Sequence, residues 1–252
     1  AALVGQVVTS IEQRGKFLIL DLDRDRIVVN PMLTGRFQLA KPATKQPTKT
    51  ALVLGFGQRG PTKAPKPAAW VRGASWLPAA ADQPEIRYRD PTQMGKVYLL
   101  PDGVDRPVPG LSETEMGPEA DDPSLTLDVW RDRIRKHPGE LKNLLRNQAF
   151  VAGIGNAYSD EILWEAQLAP FRRRATLDDA QIERLYHALR SVLSEAIEEL
   201  RELVPPNIEL QHRERLKVHL RGGEPCPRCG RELRQIGGSE ATTFCRTCQP
   251  PL

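Results

Sequence analysis

The 252-residue chain has no apolar run near the roughly 20 residues that a membrane-crossing helix needs. Its longest apolar stretches, Phe17 to Leu20 and Ile27 to Val29, are strand-sized. A helical membrane protein is therefore excluded. No charged-then-apolar leader opens the sequence, so secretion is not expected. No segment repeats, which sets aside solenoids and arrays. No cysteine occurs before position 226, and a disulfide-stapled fold has nothing to build on over most of the length.

The charge is unevenly placed. The whole chain carries +4, but residues 1–75 hold twelve Lys/Arg against four Asp/Glu, a balance of +8. A basic first third suits an anionic partner, nucleic acid foremost, although a solvated basic surface reads the same way. The four cysteines all lie in the last 27 residues, as Cys226-x2-Cys229 and Cys245-x2-Cys248. Two CxxC pairs that close together offer four thiolates to a tetrahedral zinc, one per chain. Four protein ligands leave no open position for water, so the role is structural. Leu233 to Phe244 reads as a short hairpin between the two knuckles.

Three segments follow from the patterning. Residues 1–110 are β-rich: Gly15 to Leu22 is a buried strand, Asp23 to Arg26 a polar turn, and Ile27 to Asn30 the return strand. Met32 to Phe37 is a glycine-bearing turn, and short strands recur at 51–54, 86–89 and 96–100. A Pro/Ala-rich stretch at 55–84 reads as a long exposed loop. Residues 111–220 turn helical. Leu127, Trp130 and Ile134 recur at helical spacing, and further helices are expected over 140–151 and 157–167. The longest, 177–203, carries the core stripe Ile182, Leu185, Leu189, Val192 and Ala196, with Thr176 as N-cap and Pro205-Pro206 as its stop. Residues 221–252 form the cysteine module. The class is α+β.

Two further features bear on chemistry. Gly153-Ile-Gly155-Asn156 makes a tight turn into a helix that Asn156 is expected to cap. Glycines let a phosphate approach the backbone, and free amides at a helix start can hold it, although such turns also join helices for packing alone. Lys16, in Arg14-Gly15-Lys16-Phe17, stands at the mouth of a strand, where a lone lysine is ordinarily a surface charge.

Taken together, Arg14 to Leu20, Leu33-Thr-Gly-Arg36, Arg87-Tyr-Arg-Asp-Pro91, Lys142 to Gln148, Gly153-Ile-Gly-Asn-Ala-Tyr-Ser-Asp-Glu161 and the terminal four-cysteine finger resemble the formamidopyrimidine-DNA glycosylase and endonuclease VIII family of base-excision repair. The likeness spans nearly the whole chain outside the Pro/Ala-rich loop. It implies a β-sandwich domain, a helix-two-turn-helix DNA-binding domain and a zinc ribbon. It also implies a cytoplasmic, monomeric DNA glycosylase with AP lyase activity, which flips a damaged base from double-stranded DNA and attacks the sugar with an amine. By the resemblance, Lys16 is the phosphate-contacting, proton-donating strand lysine, Asn156 the phosphate-binding asparagine, and Lys142 a lysine near the DNA backbone. Leu33 falls on the intercalating position, Met94 on the void-filling aromatic of Arg-x-Phe, and Lys49 near a family histidine; all three are expected at the DNA.

The departures are specific. The family's nucleophile is an N-terminal proline followed by glutamate, whereas this sequence opens Ala1-Ala2-Leu3, so it is either a fragment of the enzyme seen without its first segment or a protein that has lost its catalytic start. Glu240 stands on the finger's phosphate-gripping arginine, with Arg228, Arg234 and Arg246 nearby to replace it. The lesion-capping loop reduces to Pro205 to His212. Two other readings therefore stay open: a non-catalytic homologue that recognises distorted or nicked DNA, and a zinc-ribbon interaction module.

Overall fold

The computed structural model describes residues 3–57, 83–104, 106–112, 115–205, 207–238 and 240–251. Most of the Pro/Ala-rich stretch and the two opening alanines lie outside them. The described residues form two compact units. The first comprises Ala1–Val108 and Leu200–His212, and the second comprises Pro109–Glu199 and Arg213–Leu252. The zinc ribbon, expected as a separate segment at 221–252, belongs to the second unit.

The first unit is a β-sandwich. One antiparallel sheet runs β1 (Val8–Arg14), β2 (Phe17–Leu22), β3 (Arg26–Asn30), β7 (Lys96–Leu100). The other runs β4 (Arg36–Ala40), β6 (Glu85–Arg89), β5 (Thr50–Gly55). Leu20, Ile27 and Val29 of the first sheet pack with Tyr88 of the second, joined by Phe37, Leu52 and Leu54. Residues of both sheets in one cluster are what sheet-on-sheet packing requires. Ile208, from the 200–212 excursion, lines the same apolar recess as Leu20, Val29 and Phe37. β1 was not among the strands read from sequence. It is an edge strand, mostly exposed, and carries no apolar run.

The second unit packs α1 (Leu127–Lys136), α2 (Leu141–Arg146), α3 (Asn156–Glu165) and α4 (Asp179–Leu203) around Trp130. The Trp130 ring contacts Phe150 and Tyr186, and its indole N–H donates to the Ile182 carbonyl at 3.2 Å. Three boundaries differ from expectation. α2 ends at Arg146 instead of 151, because the Asn147 carbonyl accepts from the Phe150 and Val151 amides and closes a turn. α4 begins at Asp179, since Asp178 and not Thr176 serves as the cap. Asp178 Oδ1 accepts from the Gln181 amide (2.7 Å), and Gln181 Oε1 accepts from the Asp178 amide (3.1 Å), a reciprocal capping box. α3 starts at Asn156, and its N-cap is Gly155. No described helix is long and apolar enough to cross a membrane.

Candidate nucleic-acid interface and metal centre

In the first unit, strand register gathers the loops of interest at one end of the sandwich. Arg14 pairs with Phe17, leaving the two-residue turn Gly15-Lys16. Gly15 sits at φ +55°, a left-handed value that a glycine takes freely. Asn30 pairs with Lys96, and Arg89 pairs with both Arg36 and Thr50. The turn at 15–16, the loops 31–35 and 90–95, and Lys49 therefore leave the sheets at the same end. Lys16 and Lys49 are exposed there, and so are Leu33 (62%) and Met94 (44%). Four residues far apart in sequence thus share one rim, with cations and apolar tips interspersed.

That rim is held from below. Asp90 is buried, and its carboxylate accepts from Thr34 Oγ1 (2.6 Å) and from the Gly95 amide (2.6 Å). Burial alone would push this carboxyl up, but the bonds from Thr34, Gly95 and Thr92 outweigh it and hold it below the usual range. Arg36 donates to the Gly35 carbonyl (2.6 Å) and the Leu33 carbonyl (3.3 Å).

In the second unit the Gly153–Asn156 turn is braced by Gln148. Its Oε1 accepts from the Gly153 amide, and its Nε2 donates to the Ile154 and Arg146 carbonyls. Gly153 takes φ +91°. α3 then begins with neither a capping side chain nor an acidic residue in its first turn. Among the described residues, no side chain caps its first amides or offsets the positive end of its dipole in the first turn. Asn156 Nδ2 donates to the Ala241 carbonyl at 3.0 Å, while its Oδ1 is buried without a partner among the described residues.

Lys142, expected at the DNA backbone, turns inward instead. Its ammonium donates to Asp160 Oδ1 (2.6 Å) and to the Ala241 carbonyl (3.0 Å), and the side chain is 5% exposed. Burial pushes its pKa down, partly opposed by Asp160. Asp160 Oδ2 also meets His219 Nδ1 (2.8 Å) and accepts from the Thr243 amide (3.1 Å). Next to it, Glu161 accepts from the amides of Lys217, Val218 and His219 at 2.8–2.9 Å. Asp160 thus fastens α3 to the ribbon, and Glu161 fastens it to the 217–219 segment that leads into the ribbon. Sequence reading missed this use, since acidic residues on a helix are normally solvated.

The ribbon's hairpin, β8 (Arg234–Ile236) with β9 (Thr242–Phe244), separates the knuckles as expected. The four cysteine sulfurs all lie within 4.8 Å of one another, with Cys226–Cys248 at 3.9 Å and Cys229–Cys245 at 3.5 Å. A zinc tetrahedron with Zn–S near 2.3 Å puts sulfurs about 3.8 Å apart, and a disulfide would put them at about 2.05 Å. The residues fit one structural zinc. Burial opposes ionising Cys226, but the Trp164 indole N–H at 3.3 Å and nearby backbone amides bring its pKa to about 6. Cys248 is driven up to about 12 by burial and by the neighbouring thiols. Piling negative charge into one pocket is costly without a cation, which is the cost that zinc removes. The Arg228 guanidinium stacks over Trp164, 4.1 Å from the ring centroid, and bonds its carbonyl and Glu165. Glu240 meets Arg146 of α2 at 2.8 Å.

Comparison with known proteins matches each part of this architecture. Residues 1–97 match the formamidopyrimidine-DNA glycosylase N-terminal domain, 116–204 its H2TH domain, and 223–251 the zinc finger found in FPG and IleRS. The formamidopyrimidine-DNA glycosylase of Thermomicrobium roseum is 34% identical over 96% of this chain and 82% of its own length. That of Symbiobacterium thermophilum is 31% identical over 99% of this chain and 75% of its own length. The chain belongs to the formamidopyrimidine-DNA glycosylase family. Among solved structures of such glycosylases, the Lactococcus lactis protein in complex with Fapy-dG-containing DNA superposes with TM-score 0.78 at 25% identity, covering 99% of this chain and 84% of that one. The Thermus thermophilus protein gives TM-score 0.75 at 28% identity, covering 98% and 85%. Within the glycosylase family frame, Lys16, Leu33, Lys49 and Met94 collect at one rim. Asn156 marks the uncapped start of α3, and Lys142 joins the fastening beneath it.

Proposed function

We propose that this chain is a base-excision DNA glycosylase with AP lyase activity, acting on damaged bases in double-stranded DNA as a cytoplasmic monomer. The observation that carries this reading is the pairing of family membership with an α3 start that has no side-chain cap. The amides there, with Asn156 beside them, suit a DNA phosphate. Lys16 and Lys49 on the sandwich rim suit further phosphates. Leu33 and Met94 are apolar tips of the size that enters a base stack and fills the space of an extruded base. Lys16, exposed on a tight turn, is the candidate proton donor for elimination. By the family resemblance, the amine that attacks the sugar is that of an N-terminal proline. The zinc holds the ribbon, and through it the carbonyl of Ala241 beside Asn156.

Borohydride reduction with duplex carrying an abasic site tests the chemistry. A covalent adduct shows that an amine of this protein forms a Schiff base with the sugar. Salt-dependent DNA binding with no adduct would instead identify a recognition protein without lyase chemistry. No DNA binding at any salt would remove the whole reading.

A further inference from the structure

The 31–35 and 90–95 loops meet on one buried group. Asp90 lies 3% exposed at the end of β6. One oxygen, Oδ1, takes the Thr34 hydroxyl from the loop that carries Leu33, and Thr92 lies 3.4 Å from the same atom. The other, Oδ2, takes the Gly95 amide, next in sequence to Met94. The two hydroxyls, Thr34 and Thr92, also bond one another directly across the loops. A third tie comes from the Asp90 amide, which donates to the Lys49 carbonyl at 3.0 Å. Packing narrows the arrangement further. The Tyr88 ring is buried directly beneath, and a Cβ at either Gly35 or Gly95 would collide with its hydroxyl. Both loops are therefore drawn down onto one aromatic ring and one carboxylate, while their tips face outward.

We propose that Asp90 is a positioning residue that locks Leu33 and Met94 into a single two-pronged wedge, so that both tips enter a DNA base stack together. This rests on the DNA-binding reading above. A carboxylate suits the position because it accepts from several donors at once, and bonds to an ionised acceptor are the stronger ones. Separate flexible tips would each have to be ordered on binding; a shared anchor orders them beforehand. The arrangement also makes each prong depend on the other loop's anchor. Loss of Thr34 should impair the wedge even though Met94 and its own Gly95 tie are untouched.

The test uses a duplex with a stable abasic-site analogue flanked by 2-aminopurine, whose fluorescence rises on unstacking. The signal is read at saturating protein, so that weakened affinity is separated from failed insertion. For the unmodified chain a rise is expected, and Leu33→Ala or Met94→Ala should abolish most of it. Thr34→Val, which keeps shape and removes only the hydroxyl, should lower the saturating signal by at least about threefold. Thr34→Ser, which restores the hydroxyl, should recover it. Asp90→Ala should act at least as strongly; if that variant does not fold, the Thr34 pair decides. A full signal in Thr34→Val would overturn the proposal, because the two tips would then act without their common anchor. Failure of the unmodified chain to bind the duplex would instead overturn the DNA reading itself, and this inference with it.

Discussion

Removing Asp160 should cost more stability than removing any other single acid of the second unit. Its two oxygens serve the Lys142 ammonium, the His219 ring and the Thr243 amide, and its side chain is fully buried. Asp160→Ala leaves the His219 ring and the Thr243 amide without this acceptor, and leaves the buried Lys142 ammonium with the Ala241 carbonyl alone. Breaking a buried pair from one side typically costs about 3–5 kcal/mol. For a unit of this size, about 4 kcal/mol lowers the melting temperature by roughly 10–15 °C. Scanning calorimetry of the zinc-loaded protein is the right assay, because two units need not melt together. The transition that shifts should be the one that also responds to chelator, since the Thr243 amide sits in the ribbon hairpin. Lys142→Met should be milder. It frees only Asp160 Oδ1, and the Ala241 carbonyl keeps the Asn156 donor. A drop below about 3 °C for Asp160→Ala would refute the reasoning, because a group that is easily replaced by water or by side-chain shifts is not a clamp.

Burial lowers the Lys142 pKa, so the unfolded chain holds that proton more tightly than the folded one, and stability should rise with pH through the interval below the usual lysine value. Denaturation of Lys142→Met should lack that rise, and parallel pH profiles would count against it. Metal analysis should find one zinc per chain, and uptake should release protons because the ligands bind as thiolates. A Cys226–Cys229 disulfide in the purified protein would contradict this. Asn156→Ala and Lys16→Ala should each weaken binding to damaged and undamaged duplex alike. Losing Lys16 should also reduce the slope of log affinity against log salt by about 1. Glu240→Arg places a second guanidinium against Arg146, so DNA binding should tighten most at low salt while the free protein loses a little stability. Equal affinities of Glu240→Arg and the parent chain at every salt from about 50 to 200 mM would mean that position 240 never approaches a phosphate.

Legibility in the sequence tracked locality. The four cysteines, the α1 and α4 stripes and the hairpin between the knuckles are read from spacings of a few residues, and the structure keeps them. Boundaries moved where a side chain intervened: Gln148 braces the turn after α2, and Asp178 with Gln181 starts α4. The uses of Lys142, Asp160 and Glu161 were hidden because their partners lie 18 to 99 residues away. A charged residue in isolation is most simply a solvated one. Asp90 was visible only as part of a matching stretch, since its role depends on β-pairing that brings residue 34 to residue 95.

The first unit is not finished where its sheets end. Leu200–His212 leave the second unit to join it, and Ile208 lines the apolar recess between the sheets. Residues 200–212 leave the ribosome only after most of the helical unit has emerged, so the sandwich acquires its last piece of core late. Cutting the gene near residue 109 would split neither unit cleanly. It would give an N-terminal product with an uncovered apolar recess and a C-terminal product with a stranded thirteen-residue strap. A split reporter or a domain transplant made from this protein must carry the strap with the sandwich, for example by permuting the chain so that 200–212 follow 108.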